Sequence, residues 1–548
     1  AIVLIAHYAQ KKHYTISVSA IEVVVSNEKY HQVLSYPLLN AKVQIMANQI
    51  VQTWLGESRT PRRFKTLSSD SFATIDLSSS IPQVRLSPTH PVCEHQLNNS
   101  IPLSLRLLTQ KLSDDKTIDL SLATAIDLDQ DATLLTYSSI FDTDNASLVA
   151  DLIAKSLKTP KVNYLLSDFI SDFDSKVVRR EFNRIFYRAT PLPKSIAAVF
   201  ALQAKTQHPI TKGELLVILE HGADGLYATP VVGQKRKTES YWERHPSFKL
   251  NDTGTNNLIH QALKGQYPSA VVDVLCSAFS YAELIKPGSK PAIKYKNNWY
   301  TLREDSRKKI LSSTLNVTKI ELLKALKDIV PNYIVLNIIA IDPSIKTDSF
   351  NHEWWHENLD ITCGSQELYD LVLTNKHCVY WRDHLPKLLT RLTKDGKEIE
   401  LVFVDDKTTI EPKRGHRVTL DVKSTFTIPA GKNNILLPIF QGQGKNIKRF
   451  SLALEHSSLP LSQDIDCTLD LGYTYGDEEP YQLIFNPIDE GAPFNQVIAR
   501  WSDWIMTQEQ KLVCPEYPSK KSVEQLGEGE KRSIVIWAEE IFKEINSL

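Results

Sequence analysis

Long apolar runs are missing from these 548 residues. The longest, 334–341, is interrupted by Asn337, whereas a membrane helix needs about 20 such residues, so no membrane span is expected. An excess of charge is missing too. Lys and Arg number 63 against 64 Asp and Glu, a net charge of −1, so no global field favours nucleic acid or an anionic membrane. The local runs Lys235-Arg236-Lys237 and Lys286, Lys290, Lys294, Lys296 read as solvated faces. Paired cysteines are absent: Cys93, Cys276, Cys363, Cys378, Cys467 and Cys514 are scattered with no C-x-x-C, which points to a reducing cytoplasm and thiols packed as small apolar groups. No charged segment precedes an apolar stretch at the start, so no signal peptide is expected. The first residue is not Met, and some original N-terminal residues are expected to be lacking.

What is present is a series of short β-favouring runs between 404 and 487. Phe426–Ile428, 435–440, 465–471 and 481–485 are separated by Pro429-Ala430-Gly431, Gly442-Gln443-Gly444 and Gly476-Asp477-Glu478-Glu479-Pro480. Strand-length runs spaced by such turns predict a compact antiparallel β-unit. Upstream the pattern is layered α/β. Strands are expected at 161–166, 214–219, 227–232 and 333–341, with helices at 39–54, 146–157, 175–187, 195–205, 258–264, 271–281 and 318–330. Apolar periodicity at 495–506 and 533–545 predicts a helical tail, and 380–389 reads as a linker with a short helix, Asp383 and His384 lying on an ion-paired face.

Several of these runs, taken in order, resemble the heat-shock protein 70 family. Thr408-Thr409-Ile410, then Ile439-Phe440-Gln441-Gly442, then Arg449-Phe450-Ser451-Leu452 with Ser458-Leu459-Pro460, then Thr468–Leu471 and Tyr481–Leu483, resemble that family's substrate-binding β-domain. Upstream, Val162–Leu165, Pro193-Lys194-Ser195-Ile196-Ala197-Ala198, the hairpin Glu220-His221-Gly222-Ala223-Asp224-Gly225 and Asp252–Ile259 are similar to its ATPase domain, which has the actin and sugar-kinase fold. The resemblance implies an α/β actin-like ATPase-type domain at 1–345, a linker with short helices at 346–400, an antiparallel β-sandwich at 401–490 and a helical tail at 491–548. It also implies ATP with Mg held at Glu220, His221, Gly222, Ala223, Asp224 and Gly225, and a protein or peptide partner captured by the β-domain.

Departures from that pattern fall on the phosphate contacts. Successive glycines let backbone amides approach phosphates closely, and here two of those positions hold His221 and Ala223. Glu220 stands for the family's metal-holding Asp, Leu192 for its Glu, and the N-terminal D-L-G-T-T turn finds no counterpart in Ile2–Tyr8. ATP binding is therefore expected to be weak or absent, which leaves a pseudo-chaperone or a non-catalytic scaffold subunit. A competing motif is His352-Glu353-Trp354-Trp355-His356. H-E-x-x-H on a helix would set two imidazoles one turn apart for zinc, with Glu353 as general base. Glu357 after it, and the polar 346–351 before it, make a zinc hydrolase the lesser expectation. His90, Cys93 and His95 form a second ligand-type cluster in a proline-bearing loop.

Overall fold

The computed structural model describes residues 72–77, 140–141, 146–147, 150 and 160–506, apart from short internal gaps, together with the strands Thr15–Val18, Glu22–Ser26, Leu34–Pro37, Gln83–Leu86, Ser100–Pro102 and Ala125–Asp127. The gaps are 208, 237–238, 280, 288–290, 328, 348, 352, 375–377, 395–396, 406, 443–446 and 502–503. The helix expected at 39–54, most of that at 146–157, the cluster His90–His95 and the tail from 507 onward lie outside these residues. No described helix is long and apolar enough to cross a membrane.

The strand Glu214–His221 is buried along its whole length because both of its faces are covered. Leu215, Val217 and Leu219 face the helix Lys319–Leu326 through Leu322 and Leu326, while Leu216 and Ile218 face the helix Lys194–Thr206. Successive side chains point to opposite faces, so two covered faces produce an unbroken apolar run rather than an alternating one. Around this strand the order is Glu239–Arg244, Leu226–Arg236, Glu214–His221, Val335–Ala340, Trp355–His356. The first two pairings are antiparallel and the last two parallel.

The same arrangement occurs upstream. Ser100–Pro102, Gln83–Leu86, Phe72–Asp76, Lys161–Leu166 and Arg188–Pro193 form a sheet in which the third-second-first pairings are antiparallel and the first-fourth-fifth pairings parallel. Here Ala73, Ile75, Val162 and Tyr164 bury against Val178 and Phe182 of the helix Lys176–Ile185. In each half the fifth strand is followed by a helix, Lys194–Thr206 in one and Ile361–Thr374 in the other, and these two helices cross. They meet at Gly364, where a Cβ would stand 1.9 Å from the Ala197 carbonyl oxygen.

The second half also carries an insertion. Helices Thr255–Leu263, Ser269–Ala278 and Glu304–Ser312 enclose a separate apolar core with the hairpin Ala292–Tyr295/Asn298–Thr301. The strand Ala292–Tyr295 pairs in parallel with Ala125–Asp127, which lies in sequence between the first half's strands Ser100–Pro102 and Lys161–Leu166. Main-chain hydrogen bonds thus join the two halves at their outer ends.

Downstream, the sheet Lys397–Val404, Leu388–Lys394, Ile435–Gln441, Lys448–Leu454, Trp504–Met506 lies with the sheet Arg417–Ile428, Ile465–Thr474, Tyr481–Pro487, Val497–Arg500, and every pairing is antiparallel. Cys467, Leu469 and Leu471 alternate inward toward Leu437, Ile439, Phe450 and Leu452, in one core continuous with that beneath the helix Lys194–Thr206.

Three expectations need correction. Residues 346–400 are no linker: Ile361–Thr374 is a 14-residue helix packed against Lys194–Thr206, Trp381–His384 extends the second half's sheet beside Glu239–Arg244, and Leu388–Lys394 is a strand. Thr409–Ile410 pairs with Trp381–His384 and so belongs to that sheet also. Residues 495–506, predicted helical, form the strands Val497–Arg500 and Trp504–Met506, because the open sheet edges supply hydrogen bonds that outweigh local propensity.

Candidate functional site

The two first strands, Phe72–Asp76 and Glu214–His221, bring buried acids to their carboxyl ends, Asp76 in one half and Glu220 in the other. Asp76 is followed by Leu77, which is buried too, while residues 2–8, expected to lack the D-L-G-T-T turn, lie outside the described residues.

Glu220 accepts from Ser167 Oγ at 2.6 Å and from the Asp168 backbone amide at 3.2 Å, and Lys194 Nζ stands 3.2 Å from it. Lys194 opens the helix that follows the first half's fifth strand, and both side chains are buried. Burial pushes Glu220 up to about 7 against the pull of Lys194. Burial alone would depress Lys194, but Glu220, Asp76 and Asp342 outweigh it and hold the ammonium above the ordinary lysine range. Asp168 also accepts from the Ser195 amide at 3.3 Å and lies 3.8 Å from Arg244.

His221 is fixed on three sides. Its amide donates to Asp342 Oδ2 at 2.7 Å, one ring nitrogen meets Ser344 Oγ at 2.8 Å, and the other meets the Thr253 carbonyl at 2.8 Å. Because a carbonyl can only accept, Nε2 carries the proton and Nδ1 accepts from Ser344. Burial lowers the His221 pKa, in keeping with a neutral ring. The next amide, Gly222, donates to the Gly225 carbonyl at 2.9 Å. The carbonyls of Gly222 and Ala223 take the first amides of the helix Thr255–Leu263, from Thr255 at 3.0 Å and Asn256 at 3.4 Å. A Cβ on Gly254 would lie 2.0 Å from the Ala223 carbonyl, so helix and hairpin are in backbone contact. Asp224, at the tip, is exposed and bonds Tyr227 Oη and Lys249 Nζ.

Of the six predicted residues, Glu220 thus faces the first half, His221 is held within its own half, Gly222, Ala223 and Gly225 form the turn, and Asp224 points to solvent. Asp76, Asp168, Lys194, Asp342 and Ser344 join Glu220 and His221 without a motif to announce them, save that Lys194 stands within the run 193–198. A magnesium–triphosphate cradle does not fit these residues. The amides of His221 and Gly222 and the start of the adjoining helix are already bonded, and the position between the acidic side chains holds an ammonium.

The zinc arrangement is not formed as a helix. Glu353 and Trp354 lie in a turn, and Trp355–His356 is a strand paired with Ile338 and Ile339; His352 is outside the described residues. His356 Nε2 lies 3.4 Å from Asn337 Oδ1. Among the described residues no group of three or more His, Cys, Asp or Glu side chains is placed to hold a metal ion. Asp383 and His384 sit on a strand and take separate partners: Arg244 donates twice to Asp383, at 3.0 and 2.9 Å, and His384 meets Glu243 at 3.2 Å.

No protein-family model and no curated protein matches the sequence. Solved structures similar in part include two MreB chains. The crystal structure of MreB 5 of Spiroplasma citri bound to AMPPNP is 10% identical with a TM-score of 0.31, the match covering 56% of this chain and 98% of that one. MreB5 of Spiroplasma citri bound to ADP is 8% identical with a TM-score of 0.27, covering 56% and 97%. At this level of identity and superposition the likeness carries no weight by itself.

Proposed function

We propose that this chain is a heat-shock-70-like, actin-type protein in which a two-lobed body carries the downstream pair of sheets as a protein-capturing β-sandwich, with ATP contributing little or nothing. The observation that supports this reading best is the doubled strand order, with Asp76 and Glu220 at equivalent ends of the two first strands. Two lobes of one topology, meeting at acidic strand ends and followed by two antiparallel sheets, give the domain order that the sequence resemblance anticipates. The sandwich would take an extended segment by main-chain hydrogen bonds along an open strand, with side chains seated against apolar surface. Leu436 at 64% exposure and Ile498 at 39% supply such surface on opposite sheets. A cytoplasmic setting suits the free thiols Cys276, Cys363, Cys378 and Cys467.

A scaffold reading is favoured by how firmly the sandwich is docked. Tyr475 Oη donates to the Pro191 carbonyl at 2.7 Å, Asn183 Nδ2 to the Gly476 carbonyl at 3.1 Å, and Arg179 to the Asp477 carbonyl at 3.3 Å. Phe173 packs on Phe450 and Trp501 across the same junction. Binding of the full chain to an array of extended apolar peptides, with and without ATP, separates the readings. The chaperone-like one expects capture that Leu436→Asp and Ile498→Asp weaken about tenfold. Capture indifferent to both substitutions, or no capture at all, overturns it.

A further inference from the structure

The acids at the junction outnumber their local cation. Asp76 ends the first strand of one half, Glu220 is the last residue but one of that of the other, and Asp342 follows the neighbouring strand Val335–Ala340. Asp76 and Glu220 are both buried. Like charges held together out of water are strongly unfavourable unless a cation lies among them. Lys194 is an unexpected place to find one. It is the first residue of a 13-residue helix that has no acidic side chain in its first turn, and the positive end of a helix disfavours an ammonium. Its position therefore answers to the carboxylates rather than to the helix. The ammonium lies 3.2 Å from Glu220 Oε1 and interacts with Asp76 and Asp342.

We propose that Lys194 is a resident cation, a side chain that joins Asp76 of one half to Glu220 of the other and so replaces any divalent metal ion at this junction. The two halves are then held by covalently attached charge, and a metal–phosphate ligand entering here has to displace an ion that cannot leave. This rests on the two-lobed reading only in assigning the two acids to different halves. The cation effect is measured without a partner, so failure of peptide capture and failure of this proposal are separate results.

The test is thermal unfolding of the full chain with and without millimolar Mg²⁺, Mn²⁺ or Mg²⁺ plus ATP. The unsubstituted protein shows no shift with any of them. Lys194→Ala, which leaves both room and uncompensated charge, melts about 10 °C lower and regains a substantial part of that loss when the divalent ion is added. Lys194→Met, which fills the space, melts lower with no metal response. Adding Glu220→Gln to Lys194→Met restores part of the loss without metal, because the carboxylate that touched the ammonium is then neutral. A metal-dependent rise in the unsubstituted protein overturns the proposal, as does a metal-indifferent Lys194→Ala. If the single Lys194 variants fail to fold, the double variant decides: a folded double variant supports the pairing, and an unfolded one overturns it.

Discussion

The imidazoles of His245 and His384 stack with centroids 4.0 Å apart, beside Glu243 and Arg244. Burial, then the neighbouring His384, lowers the His245 pKa from 6.5 to about 4, despite the opposing pull of Glu243. The folded protein therefore binds a proton at His245 less readily than the unfolded chain does. Stability from this residue is complete above pH 6.5 and is lost as the pH falls from there toward 4. The ring is only partly buried, so about 1–2 kcal/mol is the expected range. Urea midpoints across that window should fall for the natural protein, and His245→Asn should flatten the fall; an unchanged slope would refute the assignment. Residue-scale features were the least legible in the sequence. Glu220 and His221 stood out because a hairpin motif framed them. Asp76 was framed by no motif, and nothing in sequence spacing ties Lys194 to Glu220 or Ser344 to His221, since those pairings exist only once strands align.

Elements were more readable where one face or one run decided the outcome. The run 214–219, apolar after Glu214, was read as a strand, and the helix expected at 195–205, observed at Lys194–Thr206, followed from its Ala-rich apolar run and the proline that precedes it. The helix Ile361–Thr374 was underread because Gly364 and Ser365 interrupt its apolar stripe. The structure gives both a reason: Gly364 lets the helix reach the Ala197 carbonyl, and Ser365 Oγ lies 2.9 Å from Thr74 Oγ1. Gly364→Ala should cost about 3 kcal/mol in chemical denaturation because the clashing atom is backbone. Gly491→Ala, whose new Cβ would only reach Asp489 Oδ1 at 3.4 Å, should cost almost nothing and serves as the comparison. At 497–506 the apolar spacing suits either period. Val497 and Ala499 turn inward while Ile498 and Arg500 turn outward, an alternation that a short stretch cannot distinguish from a helical stripe in advance.

For the whole molecule, the domain order came from motifs, but the junctions did not. Strand pairing between Ala125–Asp127 and Ala292–Tyr295 fastens the outer ends of the two halves, and the Lys194–Glu220 contact fastens the inner end. A body closed in two places should keep one shape: small-angle scattering of the full chain is expected to show the same radius of gyration with and without Mg²⁺–ATP, and compaction on adding nucleotide would contradict this. Docking of the sandwich should be weakened locally by Tyr475→Phe. That change strands the Pro191 carbonyl and should cost about 1–2 kcal/mol, with faster amide exchange near Pro191 as its signature.

The grip of Tyr475 on Pro191 has a mechanical consequence. Only Leu192 and Pro193 lie between Pro191 and Lys194, roughly 10 Å of extended chain. Any displacement of the sheet at the Tyr475 hydroxyl would therefore be passed through Leu192 and Pro193 to the buried ammonium, so the two contacts shift together or not at all.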